Sequence, residues 1–350
     1  MSVFLLLLFF ICLFGIKFNF KDGFPDYMSP QKSNSIKGIF IVLVVLSHTR
    51  QFITITQSPL NTPFLDIISF LGQLMVVMFL FYSGYGISLG LKNKEKYATT
   101  IITKRFPKVL IHFDIAVIIF YLLSVVLGAK YSVKDLLLSF IGLDTVGNTV
   151  WYIFVTLVLY ILVFLVFIVF KKRFIAGLTV FTILSAALTF VLFLWKGKEH
   201  WWYDTIMCFP LGMWYAVAKP KTDAHLINNS NKWFSITAFF GVSFVFFAYL
   251  MNCFGNHMYL FIPASLLFGI FINLLSMRIC INNNILSWLG NHIFGIYILH
   301  FIPMKVLTYF NLNQNEFLFT AVSFSVTILL AGIFEATMNK LDIFLKLSKK

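Results

Sequence analysis

Charge is scarce in this chain. Asp, Glu, Lys and Arg make up 11% of its 350 residues and the acids alone number 13, against roughly 25% charge in soluble domains. So little charge cannot coat a water-facing surface, which excludes an ordinary soluble domain. Cysteine is sparser still. Cys12, Cys208, Cys253 and Cys280 stand far apart, which excludes a cysteine metal knuckle or a redox pair and points to no compartment. No metal is expected. There is no long polar insertion, internal repeat or low-complexity linker, so the chain reads as one body.

What fills the sequence is apolar: 60% hydrophobic residues, 19% of the total aromatic. They fall in runs near 3–16, 36–56, 65–91, 109–128, 149–170, 174–195, 203–218, 233–253, 258–277, 285–304 and 317–339, most close to the ~20 residues a bilayer requires. The first run resembles a signal-peptide core, but no basic residue precedes it and no small-residue cleavage site follows. The expectation is an all-α, polytopic transmembrane bundle of 10–11 spanning helices. Residues 1–32 form an extra N-terminal helix and short loop, 33–340 the membrane domain, and 341–350 a basic tail.

The formal charge of +14 is spread over short loops rather than gathered on a patch, so it speaks for orientation in a bilayer and against nucleic acid. With the N-terminus outside, 21 of the 27 Lys and Arg residues fall on the cytoplasmic side. Arg50, Lys130, Lys134, Lys196, Lys198 and Lys305 remain outside. This asymmetry predicts N-out and C-in, in a cell membrane.

Within the second run, Lys37 and His48 lie eleven residues apart. In a helix that spacing returns to within about 20° of one face and climbs about 16 Å. A histidine so deep is costly to bury and should look into the bundle, toward a partner or a wet cavity. It is either an interhelical hydrogen-bonding group or a reactive one. Lys104-Arg105-Phe106-Pro107-Lys108, preceded by Lys92, Lys94 and Lys96, is the densest basic cluster. It suits headgroup contact, or a phosphorylated ligand gripped by Arg105 and Lys108. The small residues of Tyr82-Ser83-Gly84-Tyr85-Gly86 fit close helix approach or a ligand. Trp151 and Tyr152 fit interfacial anchoring or stacking on a sugar. His300 reaches a depth similar to His48, and Asp114 and Glu335 are intramembrane acids that either act or pair with a neighbour such as Arg105 or Lys340.

Taken in order from Ser33 to Lys340, the Lys37…His48 spacing, the Phe-Tyr-Ser-Gly-Tyr-Gly helix, the Lys-Arg-Phe-Pro-Lys loop, Trp151-Tyr152 and Gly-Asn-His-Ile-Phe-Gly-Ile-Tyr-Ile-Leu-His resemble the acyltransferase-3 family of integral membrane acyltransferases. The resemblance implies transfer of an acetyl or other acyl group from cytoplasmic acyl-CoA to hydroxyls of a surface or lipid-linked glycan. His48 would then be the essential histidine, with Lys37, Arg105 and Lys108 on the acyl-CoA side. Tyr82, Ser83, Trp151, Tyr152, His300 and Glu335 are candidates for substrate binding, with Trp201 and Trp202 at an outer mouth. Lysine stands at 37 and 108 where the family pattern has arginine, which keeps charge but loses the planar fork. The implied partners are the glycan acceptor, membrane lipid and glycan-assembly proteins. The rival classes are a glycan transporter or flippase, with the same histidines and acids as coupling groups, and a glycan polymerase. Paired broken helices would mark a carrier, and a large outer loop a polymerase; neither is evident.

Overall fold

The computed structural model describes residues 1–347, so residues 348–350 of the expected basic tail lie outside it. It is an all-α bundle. Its thirteen helices among the described residues are α1 Ser2–Leu13, α2 Pro30–Thr49, α3 Thr62–Asn93, α4 Tyr97–Val126, α5 Val133–Phe140, α6 Trp151–Val169, α7 Phe174–Lys196, α8 Cys208–Leu226, α9 Ser230–Phe254, α10 Met258–Ser276, α11 Asn284–Asn291, α12 Ile293–Tyr309 and α13 Glu316–Phe344. A short antiparallel pair, β1 Ile16–Phe18 with β2 Ile279–Ile281, ties the segment after α1 to the segment after α10.

Seven helices, α3, α4, α6, α7, α9, α10 and α13, are long and apolar enough to cross a membrane, and the pair α11 and α12, bent by 65°, counts as an eighth when taken as one span. The expectation of ten or eleven crossings also counted α1, α2 and α8. At 12 residues α1 falls short of a bilayer. α2 and α8 have the length, 20 and 19 residues, but each carries a polar end. Those ends are Gln31 to Lys37 in α2 and Lys219 to His225 in α8. α13 runs on through Phe344, so its last turn, and not a tail beginning at 341, carries Asp342.

Two glycine-mediated contacts set the interior. A Cβ at Gly38 of α2 would fall inside the carbonyl of Leu286 on α11, and a Cβ at Gly290 of α11 inside the carbonyl of Asn34 on α2. The same reciprocity joins α3 to α8, where Gly84 faces the carbonyl of Phe209 and Gly212 that of Phe81. Small residues let the backbones touch, the usual device where lipid tails offer no competing hydrophobic gain. Gly86, by contrast, faces open space.

The run expected as one helix over 285–304 is instead broken at His292 (φ −102°, ψ 22°). A new helix start exposes unpaired N–H groups, and Glu335 of α13 answers one of them: the Gly295 N–H donates to its Oε1 at 3.0 Å. His292 stacks on Trp288 with centroids 3.9 Å apart, and its Nε2 stands 3.6 Å from the Glu335 carboxylate. Glu335 is thus the cap of the broken helix, not paired with Lys340.

Gly290→Ala is expected to destabilise the protein by roughly 1–3 kcal/mol through overpacking, and Gly86→Ala to leave stability unchanged. Thermal unfolding of the two variants in the same detergent checks the contrast.

Candidate active site

α2 runs from a polar first turn to His48 in its last, with Ile41, Val45 and Leu46 buried between. α12 brings His300 to the same level, itself fully buried. The two imidazoles meet edge to edge with their planes within 16° and their centroids 4.7 Å apart, and His48 Nδ1 lies 2.5 Å from His300 Nε2. His300 Nδ1 is 2.7 Å from the carbonyl oxygen of Tyr297. A carbonyl only accepts, so His300 carries its proton on Nδ1 and presents a lone pair at Nε2. His48 must then donate from Nδ1, which leaves its Nε2 as the free lone pair. The Tyr297 carbonyl thereby orients both rings, the role a third group plays behind a general base or nucleophile.

His48 lines a cavity of about 750 Å³, within the roughly 300–1,000 Å³ usual for small-molecule sites. Val44 and Ser47 of α2, Gln73 and Val76 of α3, Thr149 and Trp151, Tyr297, and the segment Lys196 to Trp202 complete its wall. Trp151, Trp201 and Trp202 offer three indoles to it. The loop entering α6 is braced from within: Asn148 Oδ1 accepts from the backbone of Val146, and Thr149 Oγ1 donates to the Tyr297 carbonyl at 3.4 Å. The Tyr297 hydroxyl and Gln73 Oε1 are buried without a partner among the described residues.

Sequence reasoning missed part of this wall. After α7, His200 faces the cavity with its Nδ1 2.6 Å from Asp204 Oδ2, and Asp204 is fully buried. Burial pushes the Asp204 carboxyl above the usual carboxylate range, with the bond to His200 working against it. Beside it, Trp202 Nε1 donates to Glu199 Oε2 at 2.8 Å and the Lys196 ammonium lies over the Trp202 ring at 4.0 Å. The signal was an acid four residues after a histidine, overshadowed by the neighbouring tryptophans.

Of the candidates, His48, His300 and Trp151 come together here. Tyr152 stands just behind, its ring 5.3 Å from that of Tyr297. Tyr82 is buried with an unpartnered hydroxyl and Ser83 is half-buried, and neither lines this cavity. Glu335, as the helix cap, does not line it either.

Lys37, Arg105 and Lys108 lie at the other end of the bundle. α4 shows this directly, because its last turn holds the cavity loop through Ser124 Oγ and the Val146 carbonyl while Arg105 and Lys108 sit in its early turns. Arg105 is exposed and packs over Tyr97 at 5.3 Å. Pro107 lacks an N–H for the carbonyl four residues back, and the chain widens into a π-helical turn over Ile101–Arg105. Lys108 is not a free cation: its Nζ lies 2.6 Å from Asp342 Oδ2, whose other oxygen is 2.9 Å from buried His112. Among the described residues Asp114 makes no ion pair and keeps an unpartnered oxygen. Lys37 takes part in no ion pair among the described residues and continues the face of α2 that carries Val44 and His48. Val44 bounds the cavity, and two helical turns, about 10 Å, separate it from Lys37.

Helices of hydrocarbon length packed around an oriented histidine pair and a cavity define a multi-pass membrane protein. A family model described as an acyltransferase domain matches residues 32–336. The chain belongs to the acyltransferase-3 family and is a membrane acyltransferase. No curated protein and no solved structure matches it significantly.

Lys108→Met is expected to lower stability by on the order of 1–2 kcal/mol, the lysine being partly exposed, because it strands the buried Asp342 carboxylate. Adding Asp342→Asn should restore most of the loss. Chemical denaturation of the single and double variants measures it; a double variant weaker than the single one rejects a structural pair.

Proposed function

We propose that this acyltransferase moves an acyl group, most simply acetyl, from cytoplasmic acyl-CoA to hydroxyls of a cell-surface or lipid-linked glycan. The observation that carries the reading is the His48 imidazole, fixed through Nδ1 and open at Nε2 to a cavity walled by three indoles. Indole faces stack on sugar rings, and polar groups such as Gln73, Asp144, Thr145 and Asn148 lie among the cavity's residues, where they suit an alcohol-rich acceptor. The protein would sit multi-pass in the cell membrane with its N-terminus outside, so that the cavity faces the glycan and the basic end the cytoplasm.

On the donor side, Arg105 with Lys92, Lys94, Lys96 and Lys104 supplies the charge for the nucleotide phosphates of acyl-CoA. Lys108 adds little net charge once paired with Asp342. Lys37 marks the path of the flexible thioester arm along the α2 face toward His48. A lone pair at His48 Nε2 serves either to take the acceptor's proton or to take the acyl group itself. A carrier reading would favour paired broken helices in matching halves; α11–α12 is the one bent pair among the described residues.

His48→Ala is expected to abolish acetylation of the surface glycan while membrane abundance of the protein holds. His300→Gln should lower it by about 10- to 100-fold, since it removes only the orienting partner. Mass spectrometry of the glycan checks both. Full acetylation in the His48 variant rejects the assignment, and loss of exported glycan in place of loss of acetyl groups favours the carrier.

A further inference from the structure

Two histidines face one cavity, and they are supported differently. Behind His48 stand a neutral imidazole and a carbonyl; among the described residues no carboxylate pairs with either ring. Behind His200 stands Asp204, fully buried, with one oxygen on Nδ1 at 2.6 Å and the other without a partner among the described residues. This is the histidine–carboxylate arrangement that holds a ring in one tautomer and stabilises the imidazolium formed when it accepts a proton. With Nδ1 engaged, Nε2 of His200 is the nitrogen left for the cavity.

The other charged groups about His200 are spoken for. Glu199 accepts from Trp202, Lys196 lies over the Trp195 and Trp202 rings, and Asp144 accepts from the backbone N–H of Thr145. From α10, Phe261 packs its ring 6.4 Å from the imidazole, and α2 contributes His48 across the cavity.

We propose that His200, positioned by Asp204, is the base that takes the acceptor's proton, and that His48 carries the acyl group. The inference rests on the acyltransferase reading of the same cavity. In the first half, His48 Nε2 forms the bond to the acyl carbon, the C–S bond breaks and its electron pair leaves on the CoA thiolate. In the second half, the acceptor O–H gives its proton to His200 Nε2 as oxygen bonds the acyl carbon, and the C–N pair returns to His48. His200 then releases its proton to water and the thiolate takes one up, so the sum is acyl-CoA plus alcohol giving ester plus free CoA thiol.

Water can stand in for the acceptor, so full-length protein in nanodiscs with acetyl-CoA alone suffices as the assay. Wild-type protein is expected to release a burst of about one thiol per protein, then a slow steady state of hydrolysis. His200→Ala should keep the burst and lose the steady state by about 100-fold, the usual worth of a general base, with added imidazole restoring it. Asp204→Asn should show the same pattern and lose the Nδ1–H signature of His200 in ¹⁵N spectra. The proposal is overturned if His200→Ala turns over within threefold of wild type, or if burst and steady state fall together and imidazole restores neither. It is equally overturned if Asp204→Asn leaves turnover and spectrum unchanged. Failure of the acyl-CoA reading looks different: wild-type protein then releases no thiol in either phase.

Discussion

The contact between α2 and α11 is the constraint on which the site depends. Gly38 and Gly290 each admit the other helix's carbonyl, so the two backbones are held at a distance that no side chain could share. From that fixed seat α2 carries His48 up one side. α11 ends one residue after the contact, and the chain turns by 65° into α12, which delivers His300 across the top. Without the close seat the turn would aim α12 elsewhere, and the 2.5 Å contact between the rings would not form.

Charge is distributed to keep that geometry. The broken helix is tolerable because Glu335 reaches from α13 to its first turn, and α13 is itself held to α4 through Asp342, Lys108 and His112. Buried ion pairs of this kind add little net stability when whole and cost a good deal when halved. They act here as register pins: α13 cannot slide without stranding a carboxylate in an apolar interior. Arg105 stays exposed on the widened turn before Pro107.

Much of the architecture was legible in the residues, because hydrocarbon-length apolar runs have few other uses, and the cost of burying an imidazole pointed His48 inward. Depth alone suggested that His48 and His300 were related. Their contact was not readable, since it depends on a bend at His292 that no proline announces and on a cap supplied 40 residues later by Glu335. Lys108 looked like a free cation because its partner, Asp342, falls after the last apolar run and seemed to belong to a tail. His200 was hidden by its setting, where Trp201 and Trp202 drew the reading toward stacking and the acid one turn away fell inside an apolar run. For His48 and Lys108 the missing information was a tertiary partner, which periodicity does not encode.

The division of the cavity between packed helices and connecting loops has a consequence for how such a protein can change. His48, His300 and Tyr297 sit on helices clamped by backbone contact, whereas Leu143 to Val150 and Lys196 to Trp202 lie between helices or at their ends. Loops accept insertion and exchange far more readily than packed segments. Grafting Leu143 to Val150 from one family member onto another would therefore reshape one wall of the cavity while the histidine pair on its packed helices stayed in place, a modularity that separates the lining of the site from its scaffold.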